Sequence, residues 1–524
     1  MKKSLYILLL IGTFYSCVKD ESSLVFPEDN PNFSLIEISS TQKELSVEFG
    51  QPLEFTPMVQ QRIPEKTLSY EWVAWHIDDK GIQEEPIIVG TEKVLNYTFL
   101  EKGAYKLRLE AKNEDYSVFE YWDVIVRLYD EGYMIVGENE AGESNIAFAR
   151  KLSESDILNG LEQTFITGLI QEINPDIHIQ DVVYVGKSIL SYGSTDAYLF
   201  IFTKDFIHVA DFLSFQIINS ISVDAASPGT RIAKVSMLDT YASSAIILTE
   251  EGKILQFNKF EFNLYESDYY KGTYNNMYTN LFYTTGVNQN LSQMFVNDTQ
   301  SKLYEYIPYH GSGALVNNTT GSSAPYSDNS KTNEYEGRDI VSVGRMNGDY
   351  FEGTNSNFFA IATDKSNPLE VKIVEFTTSY ATGFETLSVT NYTAANPITL
   401  PSNQSLVANS RFNAMYYHNG NQIFVWNPLN IPPNNHLPTN ASITLDGNKE
   451  VTAMAISYDM HELYVGFYDH DAAGALKGGM YVYECADIGI VSNLQPIKSF
   501  ENITTRPKQV LYKTKSWGQY NSGS

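Results

Sequence analysis

Residues 197 to 211 read AYLFIFTKDFIHVAD, and the fold of most of the chain turns on them. An apolar run of strand length meets the polar pair Lys204 and Asp205 and is followed by a second apolar run. Aromatic and β-branched runs on either side of a short polar turn describe two antiparallel strands. The same pattern returns in YMIVGENEAGESNIAFAR (133–150), SAIILTEEGKILQFN (244–258), QMFVNDTQSKLYEY (293–306), FFAIATDKSNPLEVKIVEF (358–376), AMYYHNGNQIFVWN (414–427) and AISYDMHELYVGFYD (455–469). The turns centre near Asn139, Lys204, Glu251, Asp298, Lys365, Asn419 and Asp459, seven in all.

A propeller blade of four strands takes about 40 to 50 residues, and longer intervals go into loops. Each hairpin is therefore expected as the central pair of a blade, with one face packed on each neighbour. The expectation for 129–515 is a seven-bladed β-propeller, with TRPKQVLYKTK (505–515) returning to complete the first blade. Eight blades or an irregular all-β body are the alternatives, since the spacing is uneven and no strict signature repeats. One stretch, 149–171, has 3.6-residue periodicity behind a serine cap and predicts a helical insertion in the first blade. The Gly, Asn and Ser-rich segment 310–339 is expected as a long mobile loop, and 516–524 as a disordered tail.

Upstream, 35–128 holds some seven short strands. They include LSVEFGQPLEF (45–55), LSYEWVAWHI (68–77) with Trp72 and Trp75, VLNYTFLEKGAYKLRLEAKN (94–113) and EYWDVIVRL (120–128). Leu107, Leu109 and Ala111 alternate with Lys106, Arg108, Glu110 and Lys112, so one face is buried and the other wet. That length and strand count describe an immunoglobulin-like β-sandwich. The fold class is all-β throughout.

The chain opens MKKSLYILLLIGTFYSC. Two lysines, a short apolar run and Ser16 before Cys17 mark a signal peptide over 1–16, too short for the roughly 20 apolar residues that span a bilayer. Residues 17–34, rich in Asp, Glu, Ser, Asn and Pro, describe a flexible acidic tether. The net charge of −27 argues against nucleic acid as a partner. With only two cysteines, packing rather than disulfides must hold the fold. Cys485 is expected as a buried strand residue.

No catalytic signature appears. HELYV at His461 lacks the second histidine of a zinc peptidase, no Gly-x-Ser-x-Gly elbow or phosphate-binding loop occurs, and the eight histidines lack ligand spacing. Asp469, His470 and Asp471 offer too few oxygens for calcium and are expected as a solvated turn. No cofactor and no metal is expected. The aromatic stretch YESDYYKGTYNNMYTNLFY (265–283) supplies a candidate platform for a sugar or a protein in Tyr265, Tyr269, Tyr270, Tyr274 and Tyr278. The other reading is that these rings cover the propeller's own core or rim.

Two resemblances sharpen this. Cys17 behind the signal resembles the lipidated cysteine of bacterial lipoproteins, and Lys19, Asp20 and Glu21 resemble the export signal of surface lipoproteins of Bacteroidetes. YEWVAWHIDDKG (70–81) followed by YTFLEKGAYKLRLEAKN (97–113) resembles the PKD domain, whose acidic-glycine turn appears here as Asp78, Asp79 and Gly81. Such modules act as spacers or weak binders. The order of signal, tether, PKD-like sandwich, GYMIVGENE joint (132–140) and repeated hairpins resembles the PKD-like lipoproteins encoded beside SusC/SusD-type outer-membrane uptake systems. That resemblance implies a lipid-anchored outer-membrane protein at the cell surface, acting as a non-catalytic binding or docking accessory of a peptide or glycan importer. A surface hydrolase or lyase on a propeller scaffold, and a purely structural brace of the transporter, are the rivals.

Overall fold

The computed structural model describes residues 32–78, 81–158, 160–189, 197–237, 244–266, 272–283, 290–306, 334–346, 357–379, 383–396, 398, 406–409, 411–429, 436–457, 459–491 and 493–514. The chain divides into two compact units, Met1–Leu128 and Tyr129–Ser524.

In the first unit a five-stranded sheet runs in the order Glu44–Glu48, Ser117–Arg127, Gly103–Lys112, Ser69–Ile77 and Ile87–Gly90. Two short pairs, Ile36–Ser39 with Met58–Gln61 and Pro52–Phe55 with Leu95–Thr98, complete the unit's strands. The alternation read from 103–112 holds: Tyr105, Leu107, Leu109 and Ala111 are buried beneath half-exposed Lys106, Arg108 and Glu110. Trp72 and Trp122 lie at the centre with ring centroids 5.6 Å apart, and Phe55 from a short pair meets both edge-on. Each indole spends its polar N–H on a carbonyl: Trp72 Nε1 donates to Glu92 O at 2.8 Å and Trp122 Nε1 to Gln42 O at 3.0 Å. That pairing makes complete burial affordable for so large an amphipathic ring.

The second unit is a β-propeller. Its described strands form seven sheets, five of four strands and two of three, that succeed one another along the chain. The hairpin of Ala197–Thr203 with Phe206–Asp211 is the central pair of its sheet, as its sequence predicts. Both parities of its apolar run are buried: Phe200 and Phe202 pack against Ile247, Leu255 and Phe257 of the following sheet, and Leu199 and Ile201 are equally covered. Continuous apolar strands are what burial on two faces demands. Similar clusters join the later sheets in turn and the last to the first: Ile246 and Leu248 with Met277, Tyr278 with Val343 and Phe358, Phe359 with Met415 and Trp426, Tyr416 with Leu463, and Tyr464 with Tyr133 and Val510.

The ring closes on the last strand. Gln509–Lys513 pairs antiparallel with Gly132–Glu138, so the C-terminal segment supplies the inner strand of the first sheet. Across the seam the Gln509 side chain grips the Val185 backbone from both sides, Val185 N donating to Oε1 at 2.8 Å and Nε2 donating to Val185 O at 2.9 Å. Lys513 is fully buried, donating to the carbonyls of Tyr129 and of Asp130, the latter at 2.9 Å, with its ammonium 3.5 Å from the Phe212 ring centroid.

The inner strands share a device. In Val182–Ile189, Ile232–Met237, Tyr274–Tyr283, Arg338–Met346 and Lys449–Ile456 the register slips at one place, passing over Val183, Ala233, Asn275, Val341 and Thr452. A bulge at a fixed point increases local twist and bends each strand alike. Three residues beyond the bulge the chain runs close to the next sheet: a Cβ on Gly186 would stand 2.8 Å from Met237 Sδ, and one on Gly344 would stand 2.8 Å from Met415 Sδ.

Four expectations need correction. The helix predicted over 149–171 is only two short turns, Glu154–Leu158 and Leu169–Ile173. Ala149 belongs to the strand Ser144–Arg150, and Ile166 bridges back to Phe148, so the apolar residues serve sheet packing instead of one helical face. Six of the seven hairpin centres fall between the second and third strands of a sheet, but Asp459 falls between the first and second. In that sheet the central connection is 470–477, the stretch weighed for calcium. Cys485 is buried but begins a single 3-10 turn, Cys485–Asp487, just past its strand. The loop expected over 310–339 lies outside the described residues up to 333, and Arg338 and Asp339 begin a strand.

Candidate functional site

The tyrosine platform divides when placed on the fold. Tyr269 and Tyr270 lie outside the described residues, as do Cys17, Lys19, Asp20 and Glu21. Tyr265 sits on the outer strand Asn263–Glu266 and is 37% exposed. Tyr274 and Tyr278, at 6% and 2%, are core residues and cannot meet a ligand. Tyr278 holds the slot three residues past the bulge that Gly186, Ser236, Gly344 and Ala455 hold in other sheets. Its hydroxyl donates to Ile340 O at 2.7 Å, tying one sheet to the next. Burial raises the Tyr278 phenol far above its usual range and pushes that of Tyr274 up to about 12. For these two rings the core reading is the correct one.

An aromatic surface exists elsewhere. On the outer face of the five-stranded sheet in the first unit, Phe119 and Tyr121 are 44% and 46% exposed, beside exposed Ile125 and Ile88 and half-buried Trp75. Register explains the grouping. Arg108 stands opposite Tyr121 on one side and Val73 on the other, and Lys106 stands between Asp123 and Trp75. The Arg108 guanidinium lies 5.0 Å from the Phe119 ring centroid and 5.5 Å from that of Trp75, held at 3.3 Å by Glu71 Oε1. A cation between two rings contributes about 0.5–1 kcal/mol at an exposed site and more once water is excluded. Lys106 and Asp123 pair at 2.8 Å on the same face. The arrangement is apolar rings and a guanidinium within charged residues, a composition that suits recognition.

The sequence carried a signal for this face that the tyrosine count obscured. In SVFEYWDVIVR (117–127) Trp122, Val124 and Val126 point inward, while Phe119, Tyr121 and Ile125 occupy the other parity. A strand apolar at both parities needs cover on both sides.

The remaining candidates resolve locally. Asp469 Oδ1 accepts the Asp471 N–H at 2.9 Å and Asp469 pairs with Lys449 at 3.3 Å, while Asp471 accepts from Asn448 Nδ2 at 3.3 Å. These oxygens serve the turn. Burial, against hydrogen bonds from Tyr416 and Asn409, pushes the Cys485 thiol up to about 12, which suppresses the thiolate a nucleophile needs. Among the described residues one group, His76 with Glu84 and Glu101, brings metal-ligating atoms within 4.8 Å of one another. No described helix is long and apolar enough to cross a membrane.

No family model matches the chain, and no curated protein matches it. Solved structures that resemble it include a quinonprotein alcohol dehydrogenase-like protein from Bacteroides thetaiotaomicron, 14% identical with 91% of this chain and 99% of that one covered, at a TM-score of 0.45. Others are a DUF4784 family protein from Bacteroides caccae (11% identical, 91% and 98% covered, TM-score 0.28) and the β-propeller domain of Myceliophteria thermophila Cps50 (Swd1) (9% identical, 62% and 88% covered, TM-score 0.35). The propeller stands on the chain's own strand pairing and ring closure.

Proposed function

We propose that the protein is a non-catalytic binding and docking accessory of a SusC/SusD-type importer of peptides or glycans, lipid-anchored through Cys17 on the outer face of the outer membrane. In this reading 35–128 is a PKD-like sandwich and 129–515 a seven-bladed propeller. The observation that carries it is the exposed face of Trp75, Arg108, Phe119, Tyr121 and Ile125, which offers aromatic anchors and a guanidinium on a rigid sheet. Interfaces concentrate their energy in such residues, and aromatic and arginine anchors dominate. The signal sequence and the Lys19, Asp20 and Glu21 cluster support the location.

The test is affinity purification of the membrane-anchored chain without added substrate. An importer pair should co-purify, and Cys17→Ala should release the chain from membranes. Recovery of no transporter subunit, with hydrolysis of glycans or peptides by the soluble body, would replace this reading with the hydrolase.

A further inference from the structure

His76 lies near the end of the strand Ser69–Ile77, its ring packed at a tilt of 50° against Tyr105 with ring centroids 4.9 Å apart. Its Nε2 stands 3.0 Å from Lys102 O. A carbonyl oxygen only accepts, so Nε2 carries the hydrogen and donates it. In the neutral ring this leaves a lone pair on Nδ1, and that atom is buried without a hydrogen-bond partner. Opposite it are two acceptors, Glu84 Oε2 at 3.3 Å and Glu101 Oε2 at 3.5 Å. A lone pair facing two carboxylates is repulsive unless a positive charge lies among them.

Three segments converge to build this arrangement. Ile77 bridges Gln83, and Glu84 N donates to His76 O at 2.9 Å, which folds residue 84 back beside the ring. Tyr105 Oη donates to Glu101 O at 3.0 Å and fixes the turn that carries Glu101. Gly103, at φ +116°, lets Lys102 O reach the imidazole, since a Cβ there would stand 3.2 Å from Nε2.

We propose that His76 Nδ1, Glu84 and Glu101 bind a divalent first-row transition cation, zinc in the first instance, with water completing its shell. Zinc holds nitrogen and carboxylate ligands at about 2.0–2.2 Å, which in a tetrahedron places neighbouring ligand atoms about 3.3–3.5 Å apart. The two Nδ1 to carboxylate distances fall at that spacing. The Nε2–H to carbonyl bond is the outer contact that orients a ligating histidine and fixes its tautomer. An imidazole in the set disfavours calcium and magnesium, which take oxygen. Both glutamates are exposed, so the site opens to water on one side. The bound ion ties the two turns before Glu84 and after Glu101 to the strand end. Separations of eight and then seventeen residues match no ligand motif, and only the fold assembles the set.

The experiment is calorimetric titration of the chelator-stripped full chain with zinc chloride. Wild type should take up one tight equivalent. Glu84→Gln and Glu101→Gln should each weaken it at least tenfold while melting as wild type does without metal. In 15N-detected imidazole spectra of wild type, one equivalent of zinc should move a single histidine, ligated through Nδ1. No saturable equivalent, unchanged affinity in both variants, or ligation through Nε2 would overturn the proposal.

Discussion

Two strands with the same sequence habit meet different fates in this protein. Ala197–Thr203 in the propeller and Ser117–Arg127 in the first unit are both apolar at odd and even positions. In the propeller each face of the strand meets a neighbouring sheet, and Leu199, Phe200, Ile201 and Phe202 are completely buried. In the first unit only one parity is buried, and Phe119, Tyr121 and Ile125 stand in the open. Apolar residues of the first kind are spent on the fold. Those of the second kind add little to stability and are available to another molecule.

The largest effect should come from the covered face. Phe200→Ala empties space between two sheets with no means of refilling it, and its cost should be about 3–5 kcal/mol in urea unfolding. A loss below about 1 kcal/mol would show that the sheets do not pack as described.

Acid should probe the same interior. Burial pushes His208 and His418 down to about 4. Below pH 6.5 the unfolded chain takes up protons that the folded chain refuses, so stability present above 6.5 is lost as the pH falls toward 4. At about 1.4 kcal/mol per pH unit for each group, each histidine supplies up to about 3 kcal/mol of this loss. Replacing both with glutamine should flatten the dependence measured by denaturant titration between pH 7 and 4.5.

Gly186→Ala should cost about 1–3 kcal/mol, since a Cβ there overlaps Met237 and Tyr184 at 2.8 Å. The double variant G186A/M237A should recover part of that, a coupling readable in a mutant cycle. Smallest of all should be Phe119→Ala or Tyr121→Ala, expected within about 1 kcal/mol of wild type in stability, the Arg108 contact of Phe119 included. A larger loss would mean that the outer face is structural after all, and the contrast between the two strands would fail.

The turn chemistry made the hairpins legible. Asn139, Lys204, Glu251, Asp298, Lys365 and Asn419 each mark a central connection because polar residues at a tight turn leave the apolar runs on either side conspicuous. The last sheet misled because its first and second strands form an equally clear hairpin at Asp459, while its central connection is longer and polar. The inner strands were harder to see, although a faint repeat is present: Val182 and Val185 before Gly186, Ile232 and Val235 before Ser236, Ile340 and Val343 before Gly344, and Val451 and Met454 before Ala455. The bulge that sets this spacing is a property of cross-strand register, which one strand alone does not state. In Tyr274, Met277 and Tyr278 the same frame carries a large ring in the small-residue slot, and counting tyrosines therefore pointed to a surface where the fold has a core.

For the exposed aromatic face the obstacle was different. Trp75, Arg108 and Phe119 belong to three strands, and their stacking follows from the pairing of residues 69–77, 103–112 and 117–127. Composition showed abundant aromatics without showing which parity faced inward. The His76, Glu84 and Glu101 cluster was hidden for the same reason.

The central claim is that the exposed face, rather than the propeller's tyrosines, engages the partner. Its most direct test is to purify the anchored F119A/Y121A variant beside wild type, after matching their urea midpoints, and to measure the importer subunits recovered with each. The account predicts at least a tenfold fall for the variant, with Tyr265→Ala recovering as much as wild type. Equal recovery by F119A/Y121A and wild type would contradict it.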